Sequence, residues 1–160
     1  MTAKKILAIE RACELVSQIQ RQGQRVVLAF GCFDLLHPGH TRYLAAARKL
    51  GDVLLVAVNS DRSALALKGP GRPVLPASER AEILAALEAV DYVTIFDGAS
   101  PTALISRMGP RIVVQTSGDD SPESSSLEPI GAAGTEIIRL PLVPGYSTSS
   151  LIQTAVRNLG

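Results

Sequence analysis

Apolar positions along the 160-residue chain follow two rhythms. Ile9, Cys13, Val16 and Ile19 recur at helical spacing and predict an amphipathic helix over Ile9–Arg21, ended at Gly23. Val26–Phe30 is instead an unbroken apolar run, as expected of a strand buried on both faces. Tyr43, Leu44, Ala47 and Leu50 mark the next helix, closed by Gly51, and Val53–Val58 the next buried strand. Strand, helix and strand within so short a span make a βαβ unit. The stretch Asn59–Ser78 holds Gly69, Pro70, Gly71, Pro73 and Pro76 and reads as one long loop, a length that in a compact domain signals function or mobility. Ile83, Leu84, Leu87 and Val90 form the stripe of a following helix, and Tyr92–Phe96 is a third strand. Ser100-Pro101 has the form of an N-cap with proline at the first helical position, before a stripe of Leu104, Ile105 and Met108 that Gly109-Pro110 stops. Arg111–Val114 is a fourth strand, Gln115–Ser126 a polar loop, Glu136–Leu140 a fifth strand. Leu151, Ile152, Ala155, Val156 and Leu159 define a C-terminal helix.

This alternation predicts an α/β fold, a Rossmann-like, doubly wound, five-stranded parallel sheet with helices on both faces. Ligands in such sheets bind beyond the carboxyl ends of the strands, where the strand order reverses. Function is therefore expected in the loops after Phe30, Val58, Val114 and Leu140. Composition narrows the partners. Lys plus Arg total 16 against 15 for Asp plus Glu, a net charge of +1, which gives no basic surface for nucleic acid or an anionic membrane. Aromatic residues are 4%, too few for a base-stacking platform. No apolar run approaches membrane-spanning length, and the first ten residues lack the apolar core of a signal peptide. The two cysteines, Cys13 and Cys32, have no metal-like spacing and read as reduced thiols of a cytoplasmic protein.

The loop after the first strand reads Gly31-Cys32-Phe33-Asp34-Leu35-Leu36-His37-Pro38-Gly39-His40. Gly31 permits a tight exit from the strand. Pro38 and Gly39 set up a helix start with His40 in its first turn. A helix N-terminus offers free N–H groups and partial positive charge to a phosphate. His37 and His40, three apart, can face one ligand. Both histidines of the chain fall in this one window, on the loop where the fold places ligands, which sets them apart from ordinary surface histidines. No Cys, Asp or Glu nearby completes a metal-ligand set.

This loop resembles the signature of the cytidylyltransferase-like nucleotidyltransferase superfamily, and Gly145-Tyr146-Ser147-Thr148-Ser149 resembles that superfamily's second motif, which opens the last helix. Lys68-Gly69-Pro70-Gly71-Arg72-Pro73-Val74, with the helix from Glu79-Arg80-Ala81-Glu82, is similar to the adenylyltransferases that convert a heptose 1-phosphate to an ADP-heptose. The likeness runs from about Val26 to about Ile152. It implies a single nucleotidyltransferase domain over 1–160, an N-terminal helix in 1–24 and a catalytic core in 25–160. The implied reaction transfers AMP from ATP, with Mg²⁺, to a sugar 1-phosphate and releases pyrophosphate. A CTP-dependent enzyme acting on an alcohol phosphate such as glycerol 3-phosphate, and a nucleotide-binding module without turnover, are the alternatives. A homodimer is the family-based expectation.

By the same resemblance His37, His40 and Lys68 carry the chemistry. Gly31, Cys32, Phe33, Gly39, Arg72, Arg80, Tyr146, Ser147, Thr148 and Ser149 bind the nucleotide. Asp34, Asn59, Asp61, Gln115 and Asp119 are candidates for the acceptor side, although turn formation accounts equally for Asn59 and Asp61, and Asp34 is placed to orient either the loop or an acceptor. In-line attack on the α-phosphorus builds charge on phosphate oxygens, so positioning and positive electrostatics matter more than covalent chemistry. One departure stands out. Where the heptose enzymes show Lys-Gly-Gly-Asp after the fourth strand, this chain has Gln115-Thr116-Ser117-Gly118-Asp119-Asp120.

Overall fold

The computed structural model describes residues 2–117, 134–141 and 143–160. Six parallel strands are hydrogen-bonded in the order β1-β4-β3-β2-β5-β6. They are β1 (Ile6–Leu7), β2 (Val26–Gly31), β3 (Val53–Asn59), β4 (Tyr92–Phe96), β5 (Ile112–Ser117) and β6 (Glu136–Pro141). The additional strand, β1, is two residues long and pairs Ile6 with Val93 and Leu7 with Thr94 at the sheet edge. So short a strand leaves no periodic signal, and only its neighbour reveals it. Asp119 lies outside the described residues.

The central strands are apolar on both faces because helices cover both. On one side Val27, Ala29, Leu54, Val56, Val58 and Val114 pack against α2 (Pro38–Arg48) and α4 (Ala77–Ala85). On the other Val26, Leu28, Leu55, Ala57 and Val113 pack against α1 (Ile9–Arg21) and α5 (Thr102–Met108). From β2 the chain steps outward through β3 to β4, then returns to place β5 on the other flank of β2. The reversal between β2 and β5 opens a crevice at their carboxyl ends.

Two expectations are corrected. Asn59–Ser78 is not all loop, since α3 (Asp61–Lys68) occupies its first half, capped by Ser60, whose hydroxyl accepts from the Ser63 N–H. The glycines and prolines after Lys68 dominate the reading of that segment. The buried face of α4 is Ala77, Arg80, Ala81, Leu84 and Ala85, while Ile83 is 40% exposed and Leu87 and Val90 lie beyond the helix end. Alanine carries too weak an apolar signal to outvote isoleucine in a stripe. The last helix, α6 (Thr148–Leu159), buries none of its residues, and its expected stripe ends with Leu159 at 89% exposure.

Candidate active site

A cleft of about 390 Å³ opens at the β2/β5 crevice. The ends of β2, β5 and β6, the starts of α2 and α6, and the end of α3 converge on it. It gathers His37, His40, Lys68, Gly31, Cys32, Phe33, Gly39, Arg72, Tyr146, Ser147, Thr148, Ser149, Asp34 and Gln115, so the two sequence motifs, a hundred residues apart, meet at one place.

The first loop leaves β2 in an unusual conformation. Phe33 and Leu35 both have φ of 49°, a left-handed backbone that tertiary contacts must hold. Phe33 is buried under Gly31 and presents its ring edgewise to His40 at 5.6 Å. Asp34 locks the loop. Its buried carboxylate accepts from the Val74 N–H at 2.7 Å, the Leu75 N–H at 3.1 Å and Arg72 Nε at 3.3 Å. Its carbonyl accepts from the Thr148 hydroxyl at 2.6 Å. One residue thus ties three segments of the cleft together.

His37 stands at the N-cap of α2 and His40 one turn inside. Their rings stack at 3.8 Å. His40 Nδ1 accepts from the His37 N–H at 3.4 Å, so the neutral ring carries its proton on Nε2. Burial, with repulsion from His37 and Lys68 against the opposing pull of Asp34, brings the His40 pKa down to about 4. Burial also lowers that of His37. Both rings are therefore neutral donors at pH 7, and fixed positive charge comes from Lys68, in the last turn of α3, and Arg72. The starts of α2 and α6 add helix N-termini. At α6 the Ser147 hydroxyl caps the helix by accepting from the Ser150 N–H at 3.0 Å, and Ser149 Oγ lies 3.5 Å from Arg72 Nη1.

Three expected site residues do not line the cleft. Arg80 is 1% exposed and donates to the carbonyls of Leu75 and Cys32 and to Asp61 Oδ1. Asp61 also accepts from the Ala77 N–H at the start of α4. Asn59 is buried and donates to Ser63 Oγ and the Gly98 carbonyl. These residues brace the back of the loop. Conversely, Tyr43, Thr116, Pro141, Val143 and Phe30 line the cleft without having been singled out. Tyr43 follows His40 by one turn and donates to the Val114 carbonyl at 3.1 Å, joining α2 to β5. Its place in an apolar stripe hid that role, which the i, i+3 spacing from His40 could have revealed.

The sequence model of the cytidylyltransferase-like family matches residues 28–152, the span that holds both motifs. This chain belongs to the cytidylyltransferase-like family. It is 46% identical over 151 residues to the bifunctional protein HldE of Pectobacterium carotovorum, covering 94% of this chain and 31% of that protein. It is 40% identical over 151 residues to HldE of Methylobacillus flagellatus, with the same two coverages. The chain thus spans about a third of the length of these relatives. The crystal structure of a lipopolysaccharide core biosynthesis protein from Thermoplasma volcanium superposes with a TM-score of 0.63 at 26% identity, over 76% of this chain and 98% of that one. A pantoate–β-alanine ligase from Francisella tularensis, in complex with a nucleotide and β-alanine, shares the fold at 15% identity and a TM-score of 0.62, over 85% of this chain and 66% of that one.

Proposed function

We propose that residues 1–160 act as one nucleotidyltransferase domain that transfers AMP from Mg·ATP to a heptose 1-phosphate, releasing pyrophosphate and forming an ADP-sugar. The observation that carries the reaction type is the meeting of the His37–His40 turn and the Tyr146–Ser149 turn around one cleft at the strand-order reversal. The substrate class is supported by the likeness of Lys68–Val74 to heptose 1-phosphate adenylyltransferases and by the extended identity with the HldE proteins. The solved neighbour at 26% identity is named for lipopolysaccharide core biosynthesis.

In this reading the acceptor phosphate oxygen attacks the α-phosphorus in line and pyrophosphate leaves. His40 Nε2–H and the His37 ring donate to α- and β-phosphate oxygens as charge builds there, without having to carry charge themselves. Lys68 and Arg72 supply the cations, and the N–H groups opening α2 and α6 complete the cradle. Asp34 is the one carboxylate lining the cleft among the described residues, and its oxygens are taken. No group of three potential metal ligands occurs among the described residues. Mg²⁺ therefore suits this cleft as part of the nucleotide substrate, held by phosphates and water. Gln115, buried at the end of β5, offers an amide in place of a lysine charge and in this reading hydrogen-bonds ligand. No helix among the described residues is long and apolar enough to cross a membrane. A cytoplasmic homodimer remains our reading of the protein's setting, checked by sedimentation.

Pyrophosphate release across a panel of NTPs and phosphorylated acceptors is the test. ATP with a heptose 1-phosphate should turn over best. Turnover with CTP and glycerol 3-phosphate alone would replace this reading, and silence across the panel would favour a binding module. Gln115→Lys in the same panel should change kcat/KM ratios between acceptors more than the maximal rate.

A further inference from the structure

The His37 imidazole is held chiefly by ring contacts, with no more than a loose capping-box approach of the His40 N–H to it. Its Nδ1 is buried and makes no hydrogen bond of normal geometry. The His40 N–H beside it is committed to the His37 carbonyl at 2.9 Å. The ring is instead flanked by His40, near-parallel at 3.8 Å, and by Tyr146, at 5.9 Å with 15° between the planes. Gly39 permits the approach, because a Cβ there would lie 2.8 Å from His37 Nδ1 and 2.9 Å from Tyr146 Cβ. Tyr146 in turn is 40% exposed and sits just before α6. The guanidinium of Arg42 lies over that ring, 5.4 Å from its centroid. Arg42 is exposed, belongs to α2, and is not among the residues lining the cleft.

We propose that Arg42 is a positioning residue for the transfer reaction, one that clamps the Tyr146 ring from α2 and so fixes the plane of the His37 imidazole. The proposal rests on the function proposed above. α2 carries both the histidine and the arginine, so the same helix that presents His37 also holds the aromatic ring that stops it from turning. A cation over a tyrosine face is a modest interaction at an exposed site. Its leverage comes from the steep dependence of rate on the alignment of a donor. A guanidinium that bound substrate directly would act on affinity instead, and the two roles separate in kinetics.

The test is a double-mutant cycle on the intact chain, with an NMR readout that needs no substrate. Arg42→Ala should lower kcat by about three- to tenfold and leave KM for nucleotide and acceptor within about twofold. Arg42→Lys should recover most of the loss. In a Tyr146→Ala background Arg42→Ala should have no further effect. Equal effects in both backgrounds, or a rise in KM at unchanged kcat, would overturn the clamp. In the free protein the His37 Cε1–H resonance should move and broaden in Arg42→Ala while the core methyl spectrum stays fixed. An unchanged His37 resonance would overturn the clamp even if no acceptor is turned over. A His37 resonance that responds in a protein inactive across the whole panel would sink the proposed reaction and leave the clamp standing.

Discussion

His40 is a histidine kept neutral by its surroundings, and this has a consequence for stability. In the native chain it resists protonation until about pH 4, whereas the unfolded chain protonates near the ordinary 6.5. Between those values the unfolded state binds more protons, so the stability contributed by this residue falls as pH drops through the window and levels off below it. On going from pH 7 towards pH 4 the urea midpoint of wild type should therefore fall relative to that of His40→Gln, which lacks the titrating ring. A difference independent of pH would show that His40 titrates normally. Gly39 is a second residue whose identity is dictated by close approach. Gly39→Ala puts a methyl 2.8 Å from His37 Cε1 and Nδ1, so the ring must move. We expect kcat to drop by ~10- to 100-fold with little change in the thermal midpoint, the pattern of a displaced donor. Unchanged turnover would mean that His37 does not act in the transition state. The pairing of the two histidines in one turn was visible in the sequence. The burial that keeps them neutral was not, because it is made by Phe33 and a helix start that come together only on folding.

At the level of elements, the Lys68–Leu75 segment and α4 are joined to the first loop by buried polar residues as well as by apolar packing. Arg80 illustrates the distinction between a charge that binds a ligand and a charge that builds the site. It lies wholly inside, with three acceptors from two different loops and α3. Arg80→Ala should cost about 2–4 kcal/mol in denaturant unfolding, because the Cys32 and Leu75 carbonyls lose their donor in a dry environment. Any fall in kcat should follow the folded fraction. A stable variant with a selective rise in KM for nucleotide would return Arg80 to the role of phosphate ligand. The sequence motif suggested Arg80 for the nucleotide, while the structure turns its side chain inward onto two carbonyls and Asp61, since a cation in a signature reads the same whether it faces substrate or protein.

For the molecule as a whole, the cleft is a junction of segments drawn from the length of the chain, and their tethering is uneven. Arg72, Val74 and Leu75 are clasped by Asp34, while Gly69 and Gly71 adopt φ of 90° and 80° with open space around them. Ligand-dependent ordering should thus be confined to Gly69–Gly71 and the Lys68 side chain that precedes them. Amide exchange at those residues should slow on adding ATP, and exchange at Val74 and Leu75 should be slow already. Lys68→Ala should reduce turnover far more than stability. Equal protection at Gly69–Gly71 with and without ATP would rule out closure of this segment over the phosphates.

The parallel α/β sheet follows from the sequence itself, because strands buried on both faces must be apolar throughout and their crossover helices must show a 3.6-residue stripe. The position of the chemistry follows as well, since a doubly wound sheet has its ligand edge at the carboxyl ends of its strands. Tertiary structure alone decided the rest. The two-residue β1 exists only because β4 offers it hydrogen bonds. α3 is set by the Ser60 cap against a background of turn residues. The division between residues that face the cleft, such as Lys68 and Tyr43, and residues that brace it, such as Asn59, Asp61 and Arg80, depends on which way each side chain turns at the carboxyl end of the sheet. Polar side chains at such an end look alike in sequence. Burial and available partners, properties of the packed molecule, determine which of them are left to meet a substrate.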